Sequence, residues 1–78
     1  MIRVLRPCEL VPRDCVCAVD LPDGTHVELA ERPEVLAART LADRHVTVVA
    51  FLDRDAEELP GSAVVSVIRP DSGKAVAA

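Results

Sequence analysis

The run His45-Val46-Thr47-Val48-Val49-Ala50-Phe51-Leu52 constrains this chain more than any other stretch. Its residues are β-branched or otherwise apolar at both odd and even positions, so a strand built from it shows apolar side chains to both sides of its sheet. Such a strand belongs in the middle of a sheet with cover on each face. The segment from Ser62 to Arg69 repeats the pattern, with Ala63, Val65 and Val67 on one side and Val64 and Ile68 on the other.

Upstream, Cys15 to Leu21, Pro22-Asp23-Gly24 and Thr25 to Leu29 read as strand, turn and strand. Proline presets the first turn position, aspartate tolerates the next, and glycine accepts the positive φ of a short hairpin loop. Strict alternation puts Cys15, Cys17, Val19, Leu21, Val27 and Leu29 on a core face and Asp20, His26 and Glu28 on a wet one. Ile2 to Leu5 is a further short strand, ended by Arg6 and Pro7.

Glu31-Arg32-Pro33-Glu34 resembles the first turn of a helix, where a proline costs no hydrogen bond and acidic residues favour the dipole. The expected helix runs to Arg44. Val35, Ala38, Leu41 and Ala42 form its apolar stripe, and His45 lies at its negative end. Leu36 falls outside the stripe, on a flank shared with Arg39 and Asp43, and these three are candidate partner-binding residues. Between Asp53 and Leu59 the chain has room for one more helical turn, with Asp55 and Glu58 spaced as in a capping box.

The element order is therefore βββαββ: an α+β fold in one small domain over residues 1–69, with about five strands in a curved sheet or partly open barrel and one α-helix. Residues 70–78 are small and turn-forming, and are expected to be a flexible tail. A chain of 78 residues buries only about 60% of the surface its unfolded form exposes. With one aromatic residue, Phe51, its core must be aliphatic.

Thirteen acidic against nine basic residues give a net charge of −4, the wrong sign for neutralising phosphates. A small nucleic-acid-binding barrel is disfavoured on that ground, and because Phe51 alone makes no stacking platform. Anionic membranes are disfavoured by the same charge. No apolar run approaches the ~20 residues of a membrane span, and the N-terminus has no apolar signal-peptide core. A cytoplasmic protein with reduced cysteines is expected.

Cys8, Cys15, Cys17 and His26 supply four metal-binding side chains within nineteen residues, so a zinc or copper(I) site is a candidate. A small thiol-handling or metal-handling protein is accordingly the alternative function. Against it, the hairpin sends His26 to the opposite face from Cys15 and Cys17, and the thiols are expected to act as small buried hydrophobes. No nucleophile elbow, phosphate-binding loop or calcium loop is present. The sequence thus points to no enzyme and no cofactor. It points instead to a non-catalytic accessory or regulatory module that binds another protein or its own copies, including as a homo-oligomer, through a sheet edge or the flank at Leu36.

Overall fold

A computed structural model describes residues 2–70. Its strands are β1 (Ile2–Leu5), β2 (Cys15–Asp20), β3 (His26–Glu28), β4 (Val35–Leu41), β5 (Val46–Phe51), β6 (Glu57–Pro60) and β7 (Val64–Ile68), with a single 3-10 turn at Pro7–Glu9. They form two antiparallel sheets, one in the order β1-β7-β2-β3 and the other in the order β4-β5-β6. The fold is nearly all β, and the α+β class expected from the sequence is incorrect. The sheets are not closed into a barrel.

The expected helix is the largest correction. Val35–Leu41 pairs with β5 along its length, Ala38 opposite Val49 and Leu41 opposite Val46, with a bulge between Val35 and Ala37. A bulge inserts one extra residue. Val35 and Ala38 therefore face the core at a spacing of three, which imitates the i, i+3 step of a helix. Helix propensity spans less than about 1 kcal/mol per residue among ordinary side chains, and pairing with so apolar a neighbour as β5 overrides it. Pro33 starts no helix; its carbonyl accepts the Val16 N–H at 3.0 Å. The helical turn expected between Asp53 and Leu59 is also absent, since Glu57 and Glu58 open strand β6, paired to Val49 and Val48.

The core lies between the two sheets. Val16, Val19, Val65 and Val67 enter it from one side, Val35, Val49, Phe51 and Leu59 from the other, with Leu10 and Ala63 from the connections. β5 alternates half-buried and buried residues without a break, as does β7. In each, the buried set faces the opposite sheet and the half-buried set faces outward.

Two connections hold the layers together. Residues 33–35 run back along the start of β2: Arg13 N–H donates to Val35 O (2.8 Å), Val35 N–H to Asp14 O (2.8 Å), and Cys15 bridges Glu34. Glu34 also accepts the Leu52 N–H at 3.0 Å, so this short segment is tied to both sheets. Across the opposite gap, the 3-10 turn is fastened when the Arg6 guanidinium donates to Ser62 O at 2.7 Å.

The expected hairpin forms, with Gly24 at φ +95 in its turn, but its core face is shifted. A register break between Val16 and Ala18 leaves Cys17 without a partner on β7, although its carbonyl accepts the Leu29 N–H at 2.8 Å. Val16 therefore points inward and Cys15, opposite Ile68, points outward. His45 caps no helix; it ends the β4–β5 turn at φ +55. The expected C-terminal tail, apart from Pro70, lies outside the described residues. No helix among the described residues is long and apolar enough to cross a membrane.

Candidate functional site

The outward face of the β4-β5-β6 sheet is the site built most fully by the strand pairing. Antiparallel partners share a face, and the register places three cross-strand rows on it. The first is Leu41, Val46 and Pro60; the second is Arg39, Val48 and Glu58; the third is Ala37 and Ala50. Only Arg39 and Glu58 in these rows are charged. At the end of the sheet marked by the Val35–Phe51 pair, Leu36 is 47% exposed and Leu52 is 52% exposed. The buried residues of β5 face the other sheet, and Val46, Val48 and Ala50 on the outward face are half-buried, flanked by the exposed Arg39 and Glu58.

The other sheet has an apolar outward strip at its β1 edge. Ile2 stands opposite Ile68, and Ile68 opposite Cys15, while Val4 stands opposite Ser66. Ile2 and Val4 are 67% and 66% exposed. β1 is four residues long and among the described residues pairs on one side only, so within them its other edge of backbone N–H and C=O groups has no strand partner.

Of the three partner-binding candidates from the sequence, Arg39 lies within the outward face, Leu36 at its end in the β4 bulge, and Asp43 in the exposed β4–β5 turn. They form no helix flank, because there is no helix. Most of the face is made by Leu41, Val46, Val48, Ala50, Pro60 and Glu58, none of which the local spacing marks as partner-binding. The available signal was the apolar character of β5 at both odd and even positions.

The four candidate metal ligands are dispersed. Cys8 is exposed in the 3-10 turn, Cys15 faces outward on β2, Cys17 sits at the β2 bulge, and His26 lies on β3. Among the described residues, no group of three or more His, Cys, Asp or Glu side chains is placed to hold a metal ion. The thiols are half-buried or exposed, which corrects the expectation that they are buried. Cys8 and His45 line one shallow cleft with Thr40, Thr47, Pro60 and Gly61.

His26 is instead part of a surface ion-pair cluster. Asp20, directly opposite it across the hairpin, approaches Nδ1, and Glu28 stands 3.4 Å from Nε2. The Asp20 hydrogen bond first, and the Glu28 hydrogen bond second, raise the imidazole pKa above its ordinary value.

An ion pair with a buried carboxylate lies at the opposite end of β2. Asp14 is fully buried, accepts from Arg69 Nε (2.8 Å) and Nη2 (3.0 Å), and accepts the Val11 N–H at 3.1 Å. Burial pushes this carboxyl up, but the Arg69 and Val11 hydrogen bonds outweigh it and hold its pKa below the ordinary carboxylate value. This pair ties the loop before β2 to the end of β7, which fixes the Cys15–Ile68 row.

Fold and surface together define a small two-sheet antiparallel β-domain whose outward faces carry half-buried apolar side chains among the described residues. Compared with known proteins, the chain matches no family model, no curated protein and no solved structure.

Proposed function

We infer that this protein is a non-catalytic association module that binds protein, another chain or its own copies, through the outward surface of its sheets. The observation that carries this reading is the outward side of β5. Val46, Val48 and Ala50 occupy the middle strand of their sheet, flanked by Leu41, Pro60 and Ala37, and are half-buried on its outward face. The area that these half-buried apolar side chains still show to water is favourable to bury, at about 25 cal/mol per Å². The β1 edge with Ile2 and Val4 supports the same reading by a different mode, addition of a strand from a partner.

Native mass spectrometry of the mildly purified chain, set beside two variants, tests this reading. Val48→Lys puts a cation in the centre of the outward face, and Val4→Lys puts one on the β1 edge. Complexes present in the wild type should be lost in one of the two while the circular dichroism spectrum stays unchanged. Complexes that persist in both variants, or a wild type bound to nothing, would overturn the reading.

A further inference from the structure

We propose that the outward face of the β4-β5-β6 sheet is a two-fold dimer interface, its occupant the same face of a second copy of this chain. This rests on the association reading above and names the partner. Its basis is the charge pattern of the middle row. The register puts Arg39 beside Val48 and Val48 beside Glu58. A cation and a carboxylate therefore stand one strand spacing, about 4.8 Å, to either side of an uncharged centre. Both side chains are exposed, and neither takes part in a hydrogen bond or ion pair among the described residues.

A two-fold interface requires a surface complementary to itself. Consider an axis lying in the plane of the interface and running along β5. Rotating a copy by 180° about it exchanges the β4 and β6 sides and reverses neither the strands nor the order of the rows. Each Arg39 then stands over Glu58 of the other copy, and Val48 stands over Val48. The flanking rows also superpose, Leu41 over Pro60 and Ala37 beside the Ala50 pair. The other in-plane axis, along the row, stacks Arg39 on Arg39 and Glu58 on Glu58, and like charges so juxtaposed repel.

Aligned sheets cross at about −30°, which displaces a residue one strand from the axis by only about 2 Å, within the reach of an arginine or glutamate side chain. The paired charges also make the face neutral, although the whole chain carries −4. The surface best suited to bring two like-charged copies together is thus one that adds nothing to their mutual repulsion. Three strands give a footprint about 15 Å wide, at the small end of specific interfaces, so the dimer is reversible, with a Kd expected in the micromolar range.

Sedimentation equilibrium of the full chain with Arg39→Glu and Glu58→Arg variants tests the proposal. The Arg39→Glu chain presents two carboxylates and the Glu58→Arg chain two guanidinium groups, so each should repel its own kind and attract the other. Each variant alone is expected to dimerise at least about tenfold more weakly than the wild type, and their equimolar mixture to recover to within about threefold of it. Both positions are exposed, and circular dichroism will confirm that both variants are folded. A mixture no tighter than either variant alone overturns the proposal. So does a wild type that remains monomeric at about 1 mM; that result would leave association with a different protein standing, for which Val48→Lys and Val4→Lys remain the test.

Discussion

Asp14 is the only fully buried charged residue among those described, and its surroundings explain how a domain this small tolerates it. Two guanidinium nitrogens and one backbone N–H satisfy the carboxylate, and no buried side-chain polar atom among the described residues lacks a partner. Breaking a buried pair strands the remaining charge, at roughly 3–5 kcal/mol when both groups are fully enclosed. Arg69 is partly exposed, so Asp14→Asn is expected to cost less, about 2 kcal/mol by urea unfolding at pH 7. The pH dependence follows from the direction of the shift. A carboxyl with a depressed folded pKa stabilises the fold above its unfolded value, near 3.9, and that stabilisation is lost as pH falls through the folded value. Wild type should therefore lose stability as pH falls below about 4, and Asp14→Asn should show a shallower loss over the same acid range.

At the scale of elements, turn chemistry was the most legible part of the sequence. Pro22-Asp23-Gly24 specified a hairpin, and Gly24 takes the left-handed φ of +95 that the loop requires. A Cβ at Gly24 would have nothing within 4 Å, so the cost of replacing it is backbone strain alone. Gly24→Ala is expected to lower stability by about 1 kcal/mol, which thermal unfolding would report as a fall of about 4–8 °C in Tm. The bulges were not legible in the same way. One at Leu36 gave β4 a helical spacing, and one at Cys17 reversed the face assigned to Cys15. Both arise because a partner strand fixes the register, and no local preference of Leu36 or Cys17 announces the extra residue.

For the whole molecule, the energetics are those of a thin aliphatic core. Stability of roughly 0.05–0.15 kcal/mol per residue gives a chain of this length about 4–12 kcal/mol. Phe51, the only aromatic side chain, is buried between the sheets and also lies beneath the Arg54 guanidinium, 5.7 Å from its ring centre. Truncating a buried phenylalanine costs about 3–5 kcal/mol, a large part of that total. Phe51→Ala is therefore expected to lower the urea midpoint by about a quarter or more of its wild-type value, measured as a shortened folded baseline. Val46 and Val48 lie outside that core and are half-buried on the outward side of their sheet.

Local residue pattern was enough to read the strands β1, β2, β3, β5 and β7, the hairpin turn, the placing of Val65 and Val67 on one side of β7, and the outward set Asp20, His26 and Glu28. Alternation, turn residues and proline placement are local properties, and each is written in a few consecutive residues. Tertiary structure alone decided that Val35–Leu41 is a strand, that two sheets face each other without a helix between them, and that Arg39 and Glu58 share a row with Val48. Those outcomes depend on which strand lies beside which. Pairing is a relation between distant segments, and its free energy exceeds the small preferences that any one segment carries.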